Sequence, residues 1–102
     1  MSLDLAVLAE SGKPEHTVSL SVNLHFELIC AAKKFLLNQL LRLDDYYEDI
    51  EILSDDLPEL LSQVNALRKE AGSDDLYKFL DEIIGLINIA KSSHRSIHSI
   101  AD

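Results

Sequence analysis

Residues 54–93 read SDDLPELLSQVNALRKEAGSDDLYKFLDEIIGLINIAKSS. Two successive helices are written in this stretch. Leu57, Leu60, Leu61, Val64 and Leu67 recur at steps of three and four, which places them on one face of a helix. Ser54 is a candidate cap, Asp55 and Asp56 suit the positive helix start, and Pro58 is tolerated in a first turn. Ala71-Gly72 stops the run, and Ser73 caps the next one with Asp74 and Asp75 behind it. Leu76, Phe79, Leu80, Ile83, Ile84, Ile87 and Ala90 make the second apolar face, while Lys78, Asp81, Glu82 and Asn88 fall on the wet side. Helices over 55–70 and 74–93, joined by a short turn, are expected to pack as an antiparallel pair.

Upstream lies a third helical period. Asn23 is the expected cap of a helix over 24–42, a span without Gly or Pro. Leu24, Leu28, Ala31, Ala32 and Phe35 share one face, widened by Ile29, Leu36 and Leu40. Phe26, Cys30, Leu37 and Leu41 add another apolar stripe. Only Glu27, Lys34 and Asn38, with Lys33 beside them, are clearly polar. A helix this apolar is central in the fold or covered by another subunit. Before it, Leu3, Leu5 and Val7, then Val18, Leu20 and Val22, alternate with their neighbours at period two. With turn chemistry in Glu10–Glu15, they predict an antiparallel hairpin of 3–8 with 17–22. Residues 44–53 receive no regular element, Ile50-Glu51-Ile52 reading as a brief strand or a loop. The end, 96–102, reads as a further short strand against the hairpin or as a loose tail. The expectation is a single α+β domain over 1–102, an N-terminal β-hairpin followed by three helices. Phe35, Leu61, Val64, Phe79, Leu80 and Ile83 are its expected core.

The chain of 102 residues carries 9 basic and 18 acidic side chains, a net charge of −9. Such a field repels phosphate backbones and anionic membranes, and it steers a basic protein partner. No apolar run approaches the ~18 residues that span a membrane, and Met1 to Glu10 hold two acids and no base, unlike the start of a secretion signal. The acids are unevenly spread. Asp44, Asp45, Glu48, Asp49, Glu51, Asp55, Asp56 and Glu59 lie within sixteen positions that contain no Lys or Arg. Tyr46 and Tyr47 interrupt the run with two large rings, a residue type enriched at binding hot spots. Adjacent side chains point apart, so one ring is expected inward and one outward. These ten residues form the candidate partner-binding surface. The plain alternative is a solvated acidic face that keeps the protein soluble.

Sites for chemistry are scarce. His94 and His98 stand four apart, a spacing that unites two imidazoles on a helix, and His25, His16 or an acid would have to complete a zinc site. No Glu follows His94 as in zincins. The acidic run has no glycine at the sixth position of a loop begun at Asp44, which excludes an EF-hand. Cys30, the sole cysteine, sits among leucines and reads as a buried structural residue, with no base placed to activate it. Three glycines make no phosphate loop. The expectation is therefore no enzyme, no cofactor and no metal.

Leu41-Arg42-Leu43-Asp44-Asp45-Tyr46-Tyr47-Glu48-Asp49 resembles a pattern in short acidic bacterial proteins. Leu5-Ala6-Val7-Leu8 followed by Gly12 and Pro14, His25, Leu57, Leu60 and the closing Ile100-Ala101-Asp102 fit the same pattern. These proteins are similar to the immunity proteins carried beside secreted bacterial toxins. The resemblance implies a cytoplasmic inhibitor that binds one toxin, with no catalytic residues to transfer. The alternative is a small homodimeric structural or regulatory protein that uses the surplus apolar face of the first helix.

Overall fold

A computed structural model describes residues 3–44 and 49–101. Strands β1 (Leu3–Leu8) and β2 (Pro14–Leu20) form the hairpin, with Leu3 opposite Leu20 and Leu5 opposite Val18. Helix α1 spans Val22–Lys34. A 3-10 turn at Leu40–Leu43 leads toward strand β3 (Ile50–Ile52). After a second 3-10 turn at Ser54–Asp56 come α2 (Leu57–Lys69) and α3 (Asp74–Ser93). Strand β4 (Ile97–Ala101) closes the order. The expected α+β class, the N-terminal hairpin and the three helices are all present, and the end of the chain takes the strand alternative.

The sheet is antiparallel throughout, in the order β2-β1-β4-β3. The last strand therefore lies between the first and the third. Period two decides which face is covered. Leu3, Leu5, Val7, Val18, Leu20, Ile52, Ile97 and Ser99 are buried, and α3 packs on β1 and β2. Asp4, Thr17, Ser19, Glu51 and His98 fall on the other face, where Ser19 Oγ donates to Asp4 Oδ1 at 2.8 Å. Helices α2 and α3 pack against each other and α1 packs on α3. Val64, Phe79, Leu80 and Ile83 are in the core as expected, and Leu61 packs against it half-buried.

The first helix departs most from its expectation. It stops at Lys34 rather than 42, and Ser21, not Asn23, caps it by accepting from the Leu24 N–H at 3.3 Å. The second strand correspondingly ends at Leu20, short of 22. No Gly or Pro marks the break. Five of the seven residues from Phe35 to Leu41 are apolar, spread around more of a helix than one buried face can cover, with Asn38 and Gln39 between them. Turning the chain after Lys34 places Leu40 and Leu43 in the core and leaves Phe35, an expected core residue, 40% exposed. Phe26 and Cys30, spaced four apart on the outward side, are exposed too, so Cys30 is not a buried structural cysteine. Where 44–53 was assigned no regular element, Ile50–Ile52 pairs with β4, because Ile52 finds Ile97 beside it on the covered face. The second helix begins at Leu57 rather than 55, and no side-chain cap, Ser54 included, bonds the start of the turn before it.

Candidate functional site

The chain of residues between α1 and α2 builds an acidic surface around one arginine. Arg42, in the 3-10 turn, donates from Nη1 to Asp56 Oδ2 at 3.2 Å and to Gln39 Oε1 at 3.1 Å. Its Nη2 donates to the Glu51 carbonyl oxygen at 3.0 Å. Gln39, a buried polar side chain, passes the network on by donating from Nε2 to Glu59 Oε2 at 3.1 Å. Gln63 of α2 accepts from the Gln39 and Leu40 N–H groups through Oε1, at 2.9 and 3.3 Å. Its Nε2 donates to Asn38 Oδ1 at 2.6 Å. One hydrogen-bonded unit thus ties the 38–43 turn to β3, to the 54–56 turn and to the start of α2.

This unit engages two of the carboxylates of residues 44–59, Asp56 and Glu59. Asp44, Asp49, Glu51, Asp55 and Glu59 are exposed and Asp56 is half-buried. Glu51 Oε2 lies 3.7 Å from His98 Nε2. Asp45, Tyr46, Tyr47 and Glu48 lie outside the described residues, and with them the expectation of one ring inward and one outward. Two of the candidate acids therefore have structural duties: Asp56 pairs with Arg42 and Glu59 accepts from Gln39. Asp44 and Asp55 meet no base among the described residues. Of the six described carboxylates of residues 44–59, only Asp56 meets the Arg42 guanidinium.

Sequence reasoning missed Gln39, Gln63 and Asn38 as organising residues, since a helix continued to 42 would have turned them elsewhere. The one signal was a pair of amides, Asn38 and Gln39, inside an apolar run. His25, buried, sits over the same turn: its Nε2 donates to the Leu43 carbonyl oxygen at 2.6 Å.

Elsewhere, the expected histidine pair is split. His94 ends α3 in the left-handed conformation, φ +54°, while His98 is on β4. No group of three or more His, Cys, Asp or Glu side chains placed to hold a metal occurs among the described residues. No helix there is long and apolar enough to cross a membrane. A cleft of about 570 Å³ between α1 and α3 is lined by Glu27, Asp75, Glu82 and Lys78 along with Leu24, Phe79 and small polar residues. Glu27 is already engaged there, accepting from Ser73 Oγ at 2.7 Å. No family model, curated protein or solved structure matches the chain.

Proposed function

We propose that this chain is a binding protein of the immunity type, which inhibits a cognate bacterial toxin by covering a basic surface of it with the acidic face around Arg42. The observation that carries this reading is that, of the six described carboxylates within residues 44–59, five are exposed and only one is paired with Arg42, on a chain of net charge −9. Long-range attraction of that kind raises the rate of encounter with a basic partner and fixes its orientation. Inhibition is steric and electrostatic, with no turnover. The hydrogen-bonded unit of Arg42, Gln39 and Gln63 holds Asp56 and Glu59 in place before the partner arrives, which limits the ordering cost of binding for those two.

The test identifies the gene beside this chain and co-expresses the chain with the secreted-toxin domain that the reading expects there. Co-expressed with it, the chain protects the host cell, and the two proteins co-purify at low salt. An Asp44→Asn, Glu51→Gln, Asp55→Asn variant keeps its helical circular dichroism and loses protection, mainly through slower association. Undiminished protection by that variant, or a neighbouring gene that encodes no toxin, refutes the reading.

A second reading has an observation of its own. Val22, Phe26 and Cys30 stand at i, i+4 and i+8 on the outer side of α1, all exposed, with Phe26 at 71%. Two copies meeting through this stripe make a structural or regulatory homodimer. A mass that doubles with concentration and stays single in Phe26→Asp supports it; a monomer at every concentration removes it.

A further inference from the structure

The two edges of the sheet differ. β3 is three residues long, and Arg42 takes its Glu51 carbonyl. β2 runs over seven residues and pairs with β1 alone among the described residues. Edge strands are ordinarily blunted by shortness, proline, lysine or a covering element. After Pro14, residues 15–19 contain neither proline nor lysine, and Glu15, His16, Thr17 and Ser19 are exposed. Three clefts of about 450, 420 and 570 Å³ follow one another between this strand and α3. Glu15, His16 and Ile89 line the first two and Glu82 the last two, so the clefts make one trough. No described residue of β1 lines it, which places the trough on the outer side of β2. Val18 and Thr17, from opposite faces of the strand, both line its middle, as they must where a groove follows the backbone edge. The strand wall from Glu15 to Ser21 is about 20 Å long, room for an extended segment of about six residues.

Gly85 stands midway along the α3 wall of the trough. Glycine weakens a helix interior, and a Cβ at this position would meet nothing within 4 Å. The packing of the chain itself therefore does not call for it. Bare backbone on the wall of a groove suits the close approach of another chain. Next to it, Ile89 is 38% exposed beside Leu86 and Val18, an apolar hold for a side chain. The charges of the lining have a sign. Its carboxylates are Glu15, Glu27, Asp75 and Glu82, and its bases are Lys78 and Arg95. Arg95 is paired with Glu15 at 3.1 Å, which leaves three carboxylates to one ammonium. The middle cleft, at Gly85, holds Glu15 and Glu82 and neither Lys nor Arg.

We propose that the outer edge of β2, from Glu15 to Ser19, accepts a fifth strand, and that this strand is an extended basic segment of a partner protein. Backbone hydrogen bonds to the edge hold the segment, and its alternate side chains turn toward α3. An apolar one rests on Ile89 and Leu86, and a lysine or arginine reaches Glu82 and Asp75. Charge complementarity selects this occupant over a second copy of the chain. A second β2 would bring another Glu15 and no Lys or Arg from residues 14–20 into a trough already rich in carboxylates, between two molecules of net charge −9. The site is separate from the acidic face around Arg42 and does not rest on it.

The experiment titrates the full chain, at low salt, with short fluorescein-labelled peptides read by anisotropy. One alternates valine with lysine, and a second has glutamate in place of lysine. Two more are the basic peptide N-methylated at its odd or at its even positions. The basic peptide is expected to bind about tenfold tighter than the acidic one. One N-methylated register binds like its parent and the other loses binding, because only alternate amides reach the edge. Gly85→Leu fills the groove and abolishes binding while the melting temperature holds or rises, a combination that simple destabilisation cannot produce. Glu82→Lys, an exposed change, weakens the basic peptide several-fold. The Asp44→Asn, Glu51→Gln, Asp55→Asn variant binds it unchanged. The proposal is overturned if the basic peptide does not bind, if the acidic one binds equally, if the two N-methylated registers behave alike, or if Gly85→Leu or Glu82→Lys binds as before. Loss of binding in the Asp44, Glu51, Asp55 variant overturns it too, by placing the peptide on the acidic face. So does concentration-dependent self-association in sedimentation that Gly85→Leu abolishes, which assigns the edge to a second copy.

Discussion

Arg42 Nη1 stands 3.2 Å from Asp56 Oδ2, across fourteen residues of sequence, with its other nitrogen on the Glu51 carbonyl. A single side chain therefore fastens β3 and the lead-in to α2 onto the turn that follows α1. Both partners are partly exposed, so the ion pair alone is worth little, and the two further hydrogen bonds of Arg42 account for more. Arg42→Met is expected to cost about 1–2 kcal/mol in urea unfolding. Asp56→Asn costs less, and Asp44→Asn, which breaks no described contact, leaves stability unchanged or slightly raised. Equal losses from Asp56→Asn and Asp44→Asn would show that the carboxylates act only through their summed charge.

Ser21 and Asn23 supply a sharper contrast. Ser21 Oγ accepts from the Leu24 N–H, whereas Asn23 lies inside the first turn of α1. Ser21→Ala is expected to lower stability by about 1 kcal/mol. Asn23→Ala is expected to be neutral or slightly favourable, because alanine is the better helix former. Chemical denaturation of the two variants side by side checks the assignment, and a larger loss from Asn23→Ala would move the cap.

Leu80 is fully buried on the face of α3 that meets the core. Leu80→Ala leaves a cavity among residues that cannot fully collapse, at about 2–5 kcal/mol. An unchanged melting temperature would place Leu80 at the surface and refute the packing of α3 on the sheet.

Ser99 is the opposite case. It is 2% exposed, on the covered face of β4 beside Leu5 and Ile50, and its Oγ has no hydrogen-bond partner among the described residues. A buried hydroxyl without a partner carries a desolvation penalty. Ser99→Ala is therefore expected to leave stability unchanged or raise it by up to about 1 kcal/mol. A clear loss in thermal unfolding would mean that the hydroxyl is satisfied.

Two helices end on non-glycine residues in the left-handed region, α1 at Leu36 and α3 at His94. Leu36→Gly and His94→Gly should each raise stability by roughly 0.5–1 kcal/mol, since glycine adopts this conformation without a Cβ clash. Differential scanning calorimetry of the single and double variants measures both effects. The sites lie on different helices, and the gains should add.

Local sequence determined the parts of this protein whose signal is periodic and self-contained. The apolar steps from Leu57 to Leu67 and from Leu76 to Ala90, each entered through acidic residues, specify α2 and α3, because a helix is defined by contacts three and four residues apart. The alternation in Leu3–Val7 and Val18–Leu20 specifies two strands of a hairpin for the same local reason. Tertiary structure decided the rest. The end of α1 at Lys34 follows from competition between apolar residues on several sides of the run that follows, and only the core says that Leu40 and Leu43 win and Phe35 loses. The place of β4 between β1 and β3 joins residues from both ends of the chain, as Leu5 opposite Ser99 does, and no local pattern encodes a partner so distant. The acidic residues from Asp44 to Glu59 were visible in the sequence as a run of like charge. That Asp56 and Glu59 are held by Arg42 and Gln39 while Asp44 and Asp55 face water was decided by the turn that brings those two bonding residues back onto α2.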